Sequence, residues 1–197
     1  MEERMDTVYP YLVEAAAEAT RVAAGVDPDL LDAPSHCGDW DVRALVDHWV
    51  LYTSHGLEHR ARRAELPEEL TGRDFAADED WAARYAAQLD RAVAAWAAPE
   101  VWDGTIDLGF AQQPAPEVAA LIWAELVLHG WDVARATGQE FHVSDGAAAL
   151  LLHVVGKNAA LYRRYEGFAE PVEVADDASV YARALALSGR DPEPVRP

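Results

Sequence analysis

Five stretches of the chain repeat their apolar residues at the three-and-four spacing of an α-helix, and that periodicity leaves little room for a sheet. The first runs from about Met5 to Ala24 and lines up Val8, Leu12, Ala15, Ala19, Val22 and Ala23. Gly25 and Pro28 end it. The second runs from about Asp39 to Glu65, with Val42, Leu45, Val46 and Trp49 as its stripe and Asp39 as its expected N-cap. The third covers about Glu79 to Ala98 and aligns Trp81, Tyr85, Leu89, Ala92 and Trp96. The fourth runs from about Pro116 to Thr137, with proline at its start and Gly138 past its end. The fifth spans about Ser144 to Tyr165, with Leu150, Leu151, Val154, Val155, Asn158, Leu161 and Tyr162 inward.

Between the third and fourth helices, Asp103-Gly104 sits between short β-prone runs and predicts a small hairpin turning there. A further helical turn is expected near Ala178 to Leu187, followed by a loose tail over 191–197. The expected fold class is all-α. It is a four-helix bundle with an additional C-terminal helix and a small β-hairpin between helices 3 and 4, in one domain over 1–190.

Composition bounds the function. Hydrophobic residues make up 51% of the chain, enough for a core. Acidic residues outnumber basic ones by 35 to 16, a net charge of −19, so neither nucleic acid nor an anionic membrane is an expected partner. No long uncharged apolar run is present and "MEERMDTVYP" has no signal-peptide core. Cys37 is the single cysteine, which rules out an intrachain disulfide. The expected location is the cytoplasm.

The fourth helix contains an anomaly. Val118, Leu121, Ile122, Glu125, Leu128 and His129 share one face, so a glutamate and a histidine interrupt an apolar stripe. A lone buried carboxylate costs several kcal/mol, roughly, and must be paired, protonated or bound to metal. His129 lies about 6 Å further along the axis on nearly the same face, so the pair can grip one ion. His48, at the edge of the second helix's stripe, is the candidate third ligand. His48, Glu125 and His129 make a His₂Glu set, the type that leaves a fourth position open in catalytic zinc sites. The spacing leaves a metal-free alternative open, with Glu125 paired to an arginine and His129 bonded to a carbonyl. Asp132, three residues past His129, is placed to orient it or to pair with Arg135. Trp49, Tyr52 and Trp123 are expected to wall the pocket from helical phase, and Trp40 and Trp131 are core or wall. His55 and His59 are expected to be solvated beside Arg60, Arg62 and Arg63, and His153 to be a core histidine. Cys37 precedes a helix N-terminus, where a thiolate is favoured, but without a clear base it reads as a loop anchor.

At these residues the chain resembles a known family. "SHCGDWDVRALVDHWV" is similar to the TPC-x-x-W-x-V-x-x-L-x-x-H block of the metal-binding domain of mycothiol-dependent maleylpyruvate isomerase, with Ser35-His36 in place of Thr-Pro. "ELVLHGWDVARATGQ" resembles its E-x-x-x-H-x-WD-x-A-x-A-x-G block, and "ALALSGRDP" the ending of a single-domain actinobacterial subgroup. The resemblance implies the DinB/YfiT-like bundle with a divalent metal held by His48, Glu125 and His129. It implies zinc, with nickel as the second choice, and mycothiol or another low-molecular-weight thiol as cofactor. The partners it implies are a small-molecule thiol and an electrophile, with a homodimer also admitted. The isomerase itself carries a second domain for which this sequence has no room, so the expected activity is thiol S-transfer. The alternative is a non-catalytic helical module that binds metal or a small ligand.

Overall fold

The computed structural model describes residues 2–35, 37–109 and 111–193, with side chains from Val8 onward. His36 and residues 194–197, part of the expected loose tail, lie outside the described residues. The chain divides into two compact units, Met1–His142 and Val143–Pro197.

The first unit is a four-helix bundle. Its rods are α1 (Glu2–Ala24), a composite second rod, α5 (Trp81–Ala95) and α6 (Ala115–Ala136). The second rod consists of α2 (Val42–Val50), a π-helical segment (Leu51–His55) and α3 (Gly56–Ala61). A short helix, α4 (Glu68–Thr71), lies in the connection to α5. α1 and the second rod each pack on both α5 and α6. The core between them holds Leu12, Leu45, Leu57, Leu89 and Leu126 together with Trp49, Trp96, Trp123 and Tyr85. Each such side chain taken from water contributes about 1.5–3 kcal/mol.

Tryptophan is tolerated in this core because each buried indole finds an acceptor. Trp49 Nε1 donates to the Leu126 carbonyl at 3.1 Å, Trp96 to Leu57 at 2.9 Å and Trp123 to Tyr11 at 3.0 Å. All three bonds run from one rod to another and so fix how the helices are rotated against each other.

Three local features differ from the sequence expectation. α2 starts two residues late, because Asp41 rather than Asp39 is the N-cap and accepts from Ala44 N at 2.8 Å. The loop before it is closed by Ser35 N and Oγ, which donate to the Trp40 carbonyl at 3.1 and 2.7 Å, so the backbone becomes helical only after Trp40. The π-helical segment was not expected. Within it, Thr53 Oγ1 and Ser54 Oγ donate back to the carbonyls of Trp49 and Val50, both at 2.6 Å, and these are the hydroxyls that open a helical turn. The hairpin exists as β1 (Thr105–Asp107) paired antiparallel with β2 (Gln112–Pro114), but its turn lies around Gly109 and not at Asp103-Gly104. Gly109 has φ 86 and its N–H donates to Asp107 Oδ1 at 2.8 Å. α6 stops where the sequence places it. Gly138 takes φ 70 and Gln139 N reaches back to the Ala134 carbonyl at 2.7 Å.

The second unit pairs α7 (Asp145–Arg164) with α8 (Val180–Leu187). Ser144 and Ser179 cap these helices through bonds to Ala147 N and Ala182 N. Leu151, Val154 and Val155 are buried as expected, whereas Leu161 is 50% exposed and His153 is exposed rather than a core histidine. Among the described residues no helix is long and apolar enough to cross a membrane.

Candidate metal centre

The fourth rod carries two of the three expected ligands and the second rod carries the other. Packing α2 against α6 brings His48, Glu125 and His129 together, with one potential ligand atom from each within 4.8 Å of the others. Glu125 Oε2 stands 3.1 Å from His129 Nε2, and the two side chains are 26% and 12% exposed. The rings of His48 and His129 meet edge to face, with centroids 4.8 Å apart.

A second group shares His129. Cys37 and Asp132 also have ligand-type atoms within 4.8 Å of it and of each other. The two groups occupy different edges of the imidazole, since Asp132 Oδ2 lies 3.1 Å from Nδ1 while Glu125 lies at Nε2. A ligating histidine normally holds its other N–H on a carboxylate, which fixes the tautomer and raises ring basicity. Asp132, buried on the same helix, stands at Nδ1 in that position, which leaves Nε2 on the side of Glu125. The His48–Glu125–His129 set has the two imidazoles and one carboxylate of a zinc-type donor set.

The electrostatics are consistent with this division. Burial pushes the His48 imidazole down to about 4, helped by the charge of His129 and opposed by that of Glu125. His48 therefore offers a free lone pair at neutral pH. Burial also lowers His129, but its hydrogen bonds to Asp132, Cys37 and Glu125 outweigh that and hold it well above the ordinary value. Without an ion, a proton between His129 and Glu125 balances the carboxylate charge. The donor set thus has the composition of a cation site.

The aromatic residues fall into two groups. Tyr52, 45% exposed, packs against His48 with the ring planes tilted by 49° and centroids 4.6 Å apart. Trp49 and Trp123 are wholly buried in the bundle core, each held by its indole bond to a neighbouring helix. Trp40, 39% exposed, lies over His48 at 4.9 Å and reaches His129 at 6.5 Å. Trp131 lies on the flank of α6 beneath the Arg135 guanidinium, 5.5 Å from its ring centroid.

Sequence reasoning set Cys37 aside, and the structure puts it beside His129. The available signal was its place with Trp40 in the tight loop that opens α2, where Cys37 N donates to Ser35 Oγ at 3.2 Å and Trp40 N to the Cys37 carbonyl at 3.3 Å. His55 and His59 are half-buried rather than fully solvated. His55 stacks on Phe75 at 5.5 Å, and His59 Nδ1 lies 2.8 Å from the His55 carbonyl.

Two uncharacterised proteins of Mycobacterium tuberculosis, MT0763 from strain CDC 1551 and Rv0738 from strain H37Rv, are each 30% identical to this chain over 116 residues. The match covers 59% of this chain and 59% of each relative, so the chain spans about three fifths of the curated relatives' length. No solved structure gives a significant match. The profile of the mycothiol maleylpyruvate isomerase N-terminal domain matches residues 12–134, which include the whole His48–Glu125–His129 cluster. The chain belongs to that mycothiol-related, metal-binding family.

Proposed function

We propose that this protein is a metal-dependent S-transferase of the cytoplasm, which joins a mycothiol-type thiol to a small electrophile at a mononuclear His48–Glu125–His129 site. The observation that carries the reading is the convergence of three donor side chains from two helices on one point, with the Nδ1 of His129 already engaged by Asp132. Zinc is the preferred ion and nickel the second.

His48 and His129 contribute imidazole nitrogens, and Glu125 contributes a carboxylate that keeps the site's net charge low. A divalent ion seated there supplies a Lewis acid that favours the thiolate form of a thiol cofactor. Asp132 retains the Nδ1 proton of His129 and keeps the ring in its ligating orientation. Trp40 and Tyr52 present aromatic faces at the mouth, suited to the apolar part of an electrophile.

Metal content of the tag-free protein by mass spectrometry tests the first half of this reading, alongside His48→Ala and Glu125→Ala. One ion per chain is expected, with loss in both variants. Metal retained by both would sink the ligand assignment. Thiol consumption with mycothiol and a panel of electrophiles tests the second half. Stoichiometric metal without turnover across the panel would leave a non-catalytic metal-binding module.

A further inference from the structure

A concave site lies on the first unit, and none of its lining residues belongs to the metal cluster. It is a cavity of about 240 Å³ between the π-helical segment, α5 and the loop before α5. That is smaller than the roughly 300–1,000 Å³ of pockets that take drug-sized ligands. Val50, Phe75 and Trp81 give it apolar walls, Arg73, Arg84 and Arg91 give it positive charge, and Asp78 contributes one carboxylate to the lining. In a chain with net charge −19, three of only 16 basic residues meet at one cavity.

The three guanidiniums are not equivalent. Arg73 and Arg84 both pair with Asp78, at 2.7 and 3.3 Å, and Arg84 also pairs with Asp80 at 2.7 Å. Arg91 has no ion pair among the described residues. Its Nη2 donates to the neutral amide oxygen of Gln88. Gln88 is fixed in that orientation because its own Nε2 donates to Glu58 Oε2 at 2.5 Å. Glu58 in turn is matched by Arg62, again at 2.5 Å. Arg91 is therefore held in place on the cavity wall by an uncharged group, with its positive charge uncompensated by a carboxylate.

We propose that this cavity binds a small organic carboxylate with an aromatic or short aliphatic body, whose carboxylate is gripped by Arg91 and flanked by Arg73 and Arg84. The planar fork of a guanidinium matches a carboxylate in bidentate fashion, which neither lysine nor an amide can reproduce. The body of the ligand lies against Phe75 and Trp81. The inference is independent of the metal reading, since it uses no residue of the cluster.

Benzoate is the test ligand, titrated calorimetrically into the full chain after chelator treatment, with benzamide as the uncharged isostere and inorganic phosphate as the simple anion. Benzoate is expected to bind with one-site saturation and to shift the indole N–H resonance of Trp81. Benzamide should bind about tenfold more weakly or worse. Arg91→Gln should weaken benzoate by about tenfold or more, and Arg91→Lys by less, with unchanged circular-dichroism melts because Arg91 is exposed. No saturable binding of benzoate would overturn the proposal. So would equal affinity for benzamide, unchanged affinity in Arg91→Gln, or phosphate binding more tightly than benzoate.

Discussion

Replacing Asp132 by asparagine keeps the shape of the side chain and an acceptor oxygen, but removes a charge 3.1 Å from His129 Nδ1. The charge acts on both states of the site. At an effective dielectric constant of about 20, unit charges about 4 Å apart attract by roughly 4 kcal/mol, so Asp132 stabilises the imidazolium of the ion-free protein. It also stabilises a cation beyond the far nitrogen. Metal binding replaces a proton on the ring by a doubly charged ion that lies farther from Asp132, and much of this attraction cancels. What remains is the loss of ring orientation and basicity, for which about 10–100-fold in affinity, or roughly 1.4–2.7 kcal/mol, is expected. The assay is competition for zinc against a chromophoric chelator at fixed pH, run on the parent, Asp132→Asn, Cys37→Ser and His48→Ala. Cys37→Ser should bind within a few-fold of the parent and His48→Ala should not compete. The opposite pattern, in which His48→Ala binds normally while Asp132→Asn and Cys37→Ser do not, would move the ion to the Cys37–His129–Asp132 group and refute the argument from the two edges of the ring.

Three further outcomes follow from the packing. A Cβ on Gly130 would stand 2.7 Å from Cδ2 of the buried Phe141 ring. Gly130→Ala should therefore lower stability by about 1–2 kcal/mol in urea titrations, because overpacking exceeds the ~1 kcal/mol gain in helix propensity; a stabilised variant would show that the ring yields freely. Thr53→Val strands the hydroxyl of Tyr85, now 3.0 Å from Thr53 Oγ1 and 1% exposed, at a cost of about 1–3 kcal/mol, and adding Tyr85→Phe should recover part of it. Glu18 is pushed upward by burial, but its bonds to Arg21, His142 N and the His142 ring prevail and hold it at about 2, against 4.5. Since the folded value is the lower one, this stabilisation is complete above pH 4.5 and is lost as pH falls towards 2. Allowing for the half-exposed Arg21 it amounts to ~1 kcal/mol, and Glu18→Gln should flatten that limb of the acid-unfolding curve.

The helices and the cluster's three donors were legible in the sequence for one reason. A residue's place on a regular helix is set by counting, and α6 is regular across Glu125 and His129. Counting also put Trp49 and Trp123 on inner faces, but it does not say whether an inner face meets a pocket or the core. The destinations of their indole N–H groups, Leu126 and Tyr11, are on other helices and have no signature in local spacing. Cys37 and the start of α2 were missed because the Ser35–Trp40 closure is a bond between loop atoms, which periodicity does not register. The hairpin was recognised by its glycines and misplaced by five residues, since Gly104 and Gly109 both have positive φ and only pairing register distinguishes them.

The π-helical turn between Val50 and Gly56 makes the second rod sensitive to length rather than to composition. Each residue of an α-helix advances the azimuth by about 100°. The wide turn fits five residues into about the rotation that four take in an α-helix, so His48 and Leu57 keep their separate facings while the rod carries one residue more. Removing one residue from 51–55 would relax the turn to a uniform α-helix with both halves still in phase. Inserting one would turn the half bearing His48 by about 100° against the half bearing Leu57, and either the ligand would leave its partners on α6 or Leu57 would leave the core. The segment therefore tolerates a shortened chain better than a lengthened one.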